Sequence, residues 1–188
     1  RRMPEEINRI VSDHVASLHL CPTQTAVDNL AREGIVNGVQ LVGDVMLDAT
    51  LFAIELSRKR SRIVGALDLN ATPFVVCTLH RQENTDDRKR LERLLRWVAA
   101  EAATIGAKIV FPVHPRTRRL LEGIDLSDFV LTDPLGYLDM HQLLDGCVLV
   151  LTDSGGLQKE AYFHRTPCIT LRDETEWIET IEAGWNRL

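Results

Sequence analysis

From Phe74 onward, short continuous apolar runs alternate with longer stretches in which apolar residues recur every three or four positions. Phe74-Val75-Val76-Cys77-Thr78-Leu79 is short, apolar almost throughout and preceded by Pro73, which predicts a strand buried on both faces. Leu91, Leu94, Leu95, Val98, Ala102 and Ile105 follow at helical spacing, with Asp86 and Asp87 favouring the N-terminal dipole and Gly106 supplying the stop. The alternation predicts a strand over Lys108 to Val113, a short helix over Arg116 to Glu122, and a strand over Phe129 to Thr132. A helix over Tyr137 to Leu144, a strand over Cys147 to Thr152, a helix over Leu157 to His164 and a strand over Cys168 to Leu171 complete it. Five strands separated by helices predict a parallel, doubly wound α/β sheet with right-handed crossovers.

The first seventy residues are less regular. Pro4 to Ala16 reads as a helix, Leu18 to Cys21 as extended, Thr25 to Glu33 as a helix closed by Gly34, and Val39 to Val42 as extended. A long helical pattern from Met46 to about Arg60 leads through the basic patch Arg58, Lys59, Arg60 and Arg62 towards Pro73. This layout predicts the tail of one α/β domain joined by a linking helix to a second. The chain does not begin with Met and stops at Gly184-Trp185-Asn186-Arg187-Leu188 without a helix closure, so we expect a segment of a longer protein.

Composition narrows the function classes. At 45% hydrophobic and 26% charged residues, the 188-residue chain has the mixture of a globular domain rather than of a disordered or disulfide-dense one. No apolar run is long enough to cross a bilayer, and no signal-peptide core follows Arg1-Arg2. A cytoplasmic protein that does not engage membranes is expected. The net charge of -5 argues against nucleic acid as a partner, although 18 of the 22 cations are Arg. Cys21, Cys77, Cys147 and Cys168 form no Cys-x-x-Cys pair, and the last three sit in apolar runs, so buried reduced thiols are expected and neither a metal nor a disulfide.

The polar clusters share one position. His80-Arg81-Gln82-Glu83-Asn84, Val113-His114-Pro115-Arg116, Asp133-Pro134, Asp153-Ser154-Gly155-Gly156 and Arg172-Asp173-Glu174-Thr175-Glu176 each follow a predicted strand. That is where open parallel sheets bind their ligands. Ser154-Gly155-Gly156 opens a helix: glycines admit close approach, Ser154 can cap, and free N–H groups with the helix dipole bind phosphate without net positive charge. A plain N-cap with close helix packing is the other reading, and the position after a buried strand favours phosphate. The pattern is neither G-x-G-x-x-G nor a Walker motif, which disfavours a nicotinamide dinucleotide. Glu160 lies about a turn and a half further along, and by itself reads as a solvated charge. His80 beside Arg81 is the second candidate, while His114 with Arg116, Arg118 and Arg119 repeats the theme on what reads more readily as an exposed face. Pro4-Glu5-Glu6 reads by spacing as an ordinary helix start.

Taken together, these motifs resemble those of the non-hydrolysing UDP-N-acetylglucosamine 2-epimerases. The resemblance is carried by Arg2-Met3-Pro4-Glu5-Glu6-Ile7-Asn8-Arg9, Val42-Gly43-Asp44 before Met46-Leu47-Asp48, His80-Arg81-Gln82-Glu83-Asn84 and Pro112-Val113-His114. It continues through Leu151-Thr152-Asp153-Ser154-Gly155-Gly156-Leu157-Gln158-Lys159-Glu160-Ala161, and through Arg172-Asp173-Glu174-Thr175-Glu176 with Glu182-Ala183-Gly184. It implies a glycosyltransferase-B-type fold of two Rossmann-like domains with the UDP-sugar in the cleft between them. Residues 1–45 would then be the end of the N-terminal domain, 46–71 the connecting helix and linker, and 72–188 a C-terminal UDP-binding domain truncated at its end.

By the same resemblance, Ser154, Gly155 and Gly156 bind the diphosphate and Glu160 accepts from the uridine ribose hydroxyls. His80 is the active-site histidine beside the diphosphate, and Glu5 is one of the catalytic carboxylates. Arg81 and His114 resemble residues of an allosteric UDP-sugar site in some bacterial members. The implied reaction inverts carbon 2 by eliminating UDP and adding it back on the opposite face, with no cofactor. A homodimer is implied for the intact enzyme, and weak UDP binding without epimerisation for the 188-residue piece. Thr175-Glu176-Trp177 and His114-Pro115-Arg116-Thr117 depart from the family's common forms and resemble the subgroup acting on UDP-2,3-diacetamido-glucuronate; Met140 stands where an aromatic residue is common near the base pocket. A glycosyltransferase of the same fold is the alternative from another class.

Overall fold

The computed structural model describes residues 4–188, with side chains from Glu6 onward. By internal packing the chain divides into two units, Arg1–Ala49 and Thr50–Leu188.

The first unit holds α1 (Pro4–Val15), β1 (His19–Cys21), α2 (Gln24–Arg32) and β2 (Val39–Leu41), and β1 pairs in parallel with β2. Thr23 caps α2 by accepting from the Ala26 N–H. Arg9 ties α1 to α2, reaching Glu33 at 2.6 Å as well as Glu6 and Asp13 on its own helix. Gly34 takes a φ of 84° after α2, the left-handed position that a helix exit favours in glycine. Helix α3 (Val45–Arg60) carries the chain into the second unit.

The second unit continues with α4 (Ile63–Ala66), β3 (Phe74–Thr78), α5 (Gln82–Thr85), α6 (Arg88–Thr104), β4 (Lys108–Pro112), α7 (Pro115–Arg118) and a 3-10 turn over Arg119–Leu121. Then come β5 (Phe129–Thr132), α8 (Tyr137–Gly146), β6 (Leu149–Thr152), α9 (Gly155–Phe163), β7 (Cys168–Thr170), α10 (Ile178–Glu182) and β8 (Asn186–Arg187). All six strands are parallel in the order β5-β4-β3-β6-β7-β8. The order reverses between β3 and β6, and such a switch point opens a crevice at the strands' carboxyl ends.

Alternation along the strands builds two cores. Val75 and Cys77 of β3 join Ile109, Phe111 and the α6 residues Leu91, Leu95, Val98 and Ala102 on one face. Phe74 and Val76 join Val110, Val150, Leu143 and Leu144 of α8, and Leu157 and Ala161 of α9 on the other. Each large aliphatic side chain so buried stabilises the fold by about 1.5–3 kcal/mol. The doubly wound parallel sheet is as expected, with differences in detail. Asn186–Arg187 forms a sixth strand where a ragged end was read, α9 begins at Gly155 rather than Leu157, and Ile105 is exposed just past α6. No helix among the described residues is long and apolar enough to cross a membrane.

Candidate functional site

At the switch point, the loops after β3 and β6 are tied together by one carboxylate. Asp153 is fully buried, and its side chain accepts from the backbone N–H groups of His80 and Arg81, both at 3.0 Å, and from the Asn84 amide at 3.1 Å. The His80 ring Nδ1 lies 3.1 Å from its other oxygen. Burial by itself would raise the Asp153 carboxyl, but the hydrogen bonds from His80, Arg81 and Asn84 outweigh it and hold the group below the usual carboxylate range. Asn84 is in turn fixed by donating to the Leu171 carbonyl at 2.8 Å and accepting from Arg90 at 3.0 Å.

The next residues start α9. The Ser154 N–H donates to the Thr152 hydroxyl at 2.9 Å, and the Ser154 hydroxyl caps the helix by accepting from the Leu157 N–H. The first N–H groups of such a helix have no partner within it, so that of Gly156, which lines the cleft, is available to an anion. The two glycines differ. A side chain added at Gly156 would meet open space, whereas one at Gly155 would run into the Glu176 carboxylate. The segment after β7 covers Gly155: buried Arg172 holds Glu176 at 2.8 Å, Trp177 Nε1 donates to the Gly155 carbonyl at 2.8 Å, and Lys159 lies over the Trp177 ring.

A cleft of about 550 Å³ runs along this edge, lined by Thr78, His80, His114, Met140, Ser154, Gly156 and Glu160 among others. The structure therefore brings together His80, His114, Ser154, Gly156 and Glu160. Gly155 lies behind that wall, and half-buried Arg81 contributes its backbone to Asp153 rather than lining the cleft. His114 is exposed, caps α7 by accepting from the Arg116 N–H, and its ring lies 5.8 Å from that of His80. Arg116, Arg118 and Arg119 cover an exposed face, with Arg118 paired to Asp133. Burial raises the Glu160 carboxyl above the ordinary carboxylate range. Glu5 lies in the first turn of α1, and its side chain is outside the described residues.

Sequence reasoning named the residues that face the cleft and missed those that hold them. Asp153 and Asn84 were quoted only as parts of motifs. A carboxylate directly after a continuously apolar strand is the signal that could have singled out Asp153. His141 on α8 and His164 at the end of α9 carry no signal of their own within their helical patterns.

The family described as UDP-N-acetylglucosamine 2-epimerase matches the chain over residues 1–188. A UDP-N-acetylglucosamine 2-epimerase homolog of Methanococcus maripaludis is 44% identical, across 100% of this chain and 54% of its own length. The UDP-2,3-diacetamido-2,3-dideoxy-D-glucuronate 2-epimerase of Pseudomonas aeruginosa is 45% identical, across 100% of this chain and 52% of that protein. The crystal structure of Methanocaldococcus jannaschii UDP-GlcNAc 2-epimerase in complex with UDP-GlcNAc and UDP superposes with a TM-score of 0.90 at 38% identity, over 100% of this chain and 54% of that one. The chain thus spans about half the length of the relatives it matches, and its fold is the corresponding part of their glycosyltransferase-B-type architecture.

Proposed function

The chain belongs to the UDP-N-acetylglucosamine 2-epimerase family, and from that membership and the cleft together we propose that the full-length protein inverts carbon 2 of a UDP-N-acetylhexosamine. The observation that carries the proposal is the order of groups along one wall: His80 held by Asp153, then the open start of α9, then Glu160. A diphosphate seated on Ser154, Gly155 and Gly156 accepts from backbone N–H groups, which explains how an acidic protein holds an anion. The uridine ribose then reaches Glu160, and Met140 with Leu135 offers the base an apolar wall.

Inversion proceeds by loss of the carbon 2 proton with departure of UDP, giving an unsaturated sugar, followed by re-addition on the opposite face. Such a route requires acid/base groups at the sugar and stabilisation of the departing diphosphate. The start of α9 and His80 serve the second requirement, and Glu5 is assigned to the first. Redox chemistry is not needed. Arg81 and His114 are assigned to a regulatory UDP-sugar contact or to the substrate itself, and for His114 its place in the same cleft as His80 supports the second. The intact enzyme is proposed to be a cytoplasmic homodimer.

Incubating the full-length protein with UDP-N-acetylglucosamine in deuterated water tests this. The carbon 2 epimer should form with deuterium at carbon 2 and without any acceptor, and Glu5→Gln should abolish turnover while sparing UDP binding. A strict acceptor requirement would instead identify a glycosyltransferase. One observation favours a second substrate within the same reaction. Trp177 stands where family members specific for UDP-N-acetylglucosamine commonly have Arg, and it packs on the diphosphate helix through Gly155. Faster turnover of UDP-2,3-diacetamido-glucuronate than of UDP-N-acetylglucosamine would establish that substrate.

A further inference from the structure

Behind Glu160, two imidazoles are hydrogen-bonded directly to each other. His141 Nδ1 on α8 lies 2.8 Å from His164 Nε2 at the end of α9, with the rings stacked at 28° and both side chains fully buried. Their outer nitrogens, His141 Nε2 and His164 Nδ1, are buried without a hydrogen-bond partner. Each faces a carboxylate at 3.9 Å: His141 faces Glu160, and His164 faces Asp145. The edge of Tyr137 closes the remaining side of His141.

Two neutral imidazoles in such contact have linked tautomers. If His141 donates to His164, the spare N–H points at Asp145 and a bare lone pair faces Glu160. If His164 donates to His141, the spare N–H points at Glu160. The two carboxylates are not equivalent acceptors. Asp145 is already neutralised by Arg58, which grips both its oxygens at 2.8 Å, whereas Glu160 is raised by burial with no cation among the described residues opposing that rise. An N–H aimed at the uncompensated carboxylate, an electrostatic contact at 3.9 Å rather than a hydrogen bond, is the more stabilising arrangement. Burial depresses both imidazoles, that of His164 to about 4, which keeps the pair neutral near pH 7.

We propose that the His164–His141 pair is a positioning element: His164 fixes His141 as the Nε2–H tautomer, and the N–H dipole of His141 orients the Glu160 carboxylate so that it presents to a ribose diol. The assignment rests on the reading of Glu160 as the ribose-binding carboxylate, and the experiment separates the two. In the full-length protein, affinities for UDP and for 2′,3′-dideoxy-UDP are compared by calorimetry. If the wild type does not prefer UDP, or Glu160→Gln leaves the preference intact, the reading of Glu160 fails and the proposal falls with it. With that preference established, His141→Leu should weaken UDP binding about tenfold and leave the dideoxy ligand nearly unchanged. His141→Gln, which keeps an N–H donor, should recover most of the loss. A wild-type preference in His141→Leu overturns the positioning role alone. Long-range nitrogen–proton NMR of the unmutated protein reads the tautomers directly, whether or not the leucine variant folds. Nε2–H on both rings is expected, and Nδ1–H on both would overturn the proposal.

Discussion

The fully buried carboxylate of Asp153 holds the ring of His80 at 3.1 Å across the point where the sheet reverses its strand order. Because the same group also takes the backbone N–H groups of His80 and Arg81, it fixes both the backbone and the imidazole of the loop that faces α9. The loop after β3 and the helix after β6 thus form one unit, with its negative charge inside the protein and its hydrogen-bond donors facing the cleft.

Asp153→Asn should therefore cost more than its size suggests. The amide puts two N–H groups among donors from His80, Arg81 and Asn84, leaving buried groups unsatisfied. Such a group costs about 1–3 kcal/mol, to be read as a lower denaturant midpoint. In the full-length protein, UDP affinity should fall with it, because the loop is no longer held to the helix. An unchanged midpoint with unchanged affinity would remove Asp153 from the role assigned to it.

The two glycines of α9 should respond with opposite signs. Gly156 has no positive φ and open space around its absent side chain, so Gly156→Ala should leave the ligand-free fold as stable or stabilise it by up to about 1 kcal/mol. The added methyl occupies the place of the proposed diphosphate, so UDP affinity should drop. Gly155→Ala should instead destabilise, since it displaces Glu176 and leaves buried Arg172 without its partner. Full UDP affinity in Gly156→Ala would favour simple helix packing for Ser-Gly-Gly over phosphate binding.

How much of this was legible depends on where the stabilising partner lies. Strands β3, β4 and β6 were readable because burial on both faces forces a continuous apolar run, as at Phe74–Thr78, while the edge strand β5 kept such a run although it is only partly buried. Asn186–Arg187 was not, because a two-residue edge strand is specified by pairing with Cys168 and Ile169 rather than by its own composition. In the site, His80, Ser154 and Glu160 follow strands or share a motif, and sequence order brings them out. The contact between His141 and His164 joins two helices through the fold, and neither residue carries a local sign of the other.

The cysteines offer a test independent of ligand. All four are free and buried. Burial pushes the Cys77 thiol well above its ordinary range and those of Cys147 and Cys168 up to about 12. An aromatic disulfide reagent at pH 8 should therefore leave these three unmodified in the native protein and label them on unfolding. Rapid labelling of any of them under native conditions would place it outside the packed core.

The imidazole pair predicts a stability loss on mild acidification. His164 has a folded pKa of about 4 against an ordinary 6.5, so between those values the unfolded chain binds a proton that the fold excludes. Stability then rises with pH through this window: the fold bears no penalty above pH 6.5 and loses about 3 kcal/mol by pH 4. Asp153 acts at lower pH, since its depressed carboxyl contributes stability that is lost only as pH falls below the ordinary value of 3.8. Glu160 has the opposite sign, because a raised carboxyl pKa makes the fold bind the proton first and so gain stability on acidification. The pair's share is therefore read as a difference. Denaturant midpoints of the wild type and of His164→Leu, measured from pH 7 to 4.5, should converge as pH falls, since only the wild type carries the cost of excluding that proton. Parallel curves would mean that His164 titrates alike in the folded and unfolded chain.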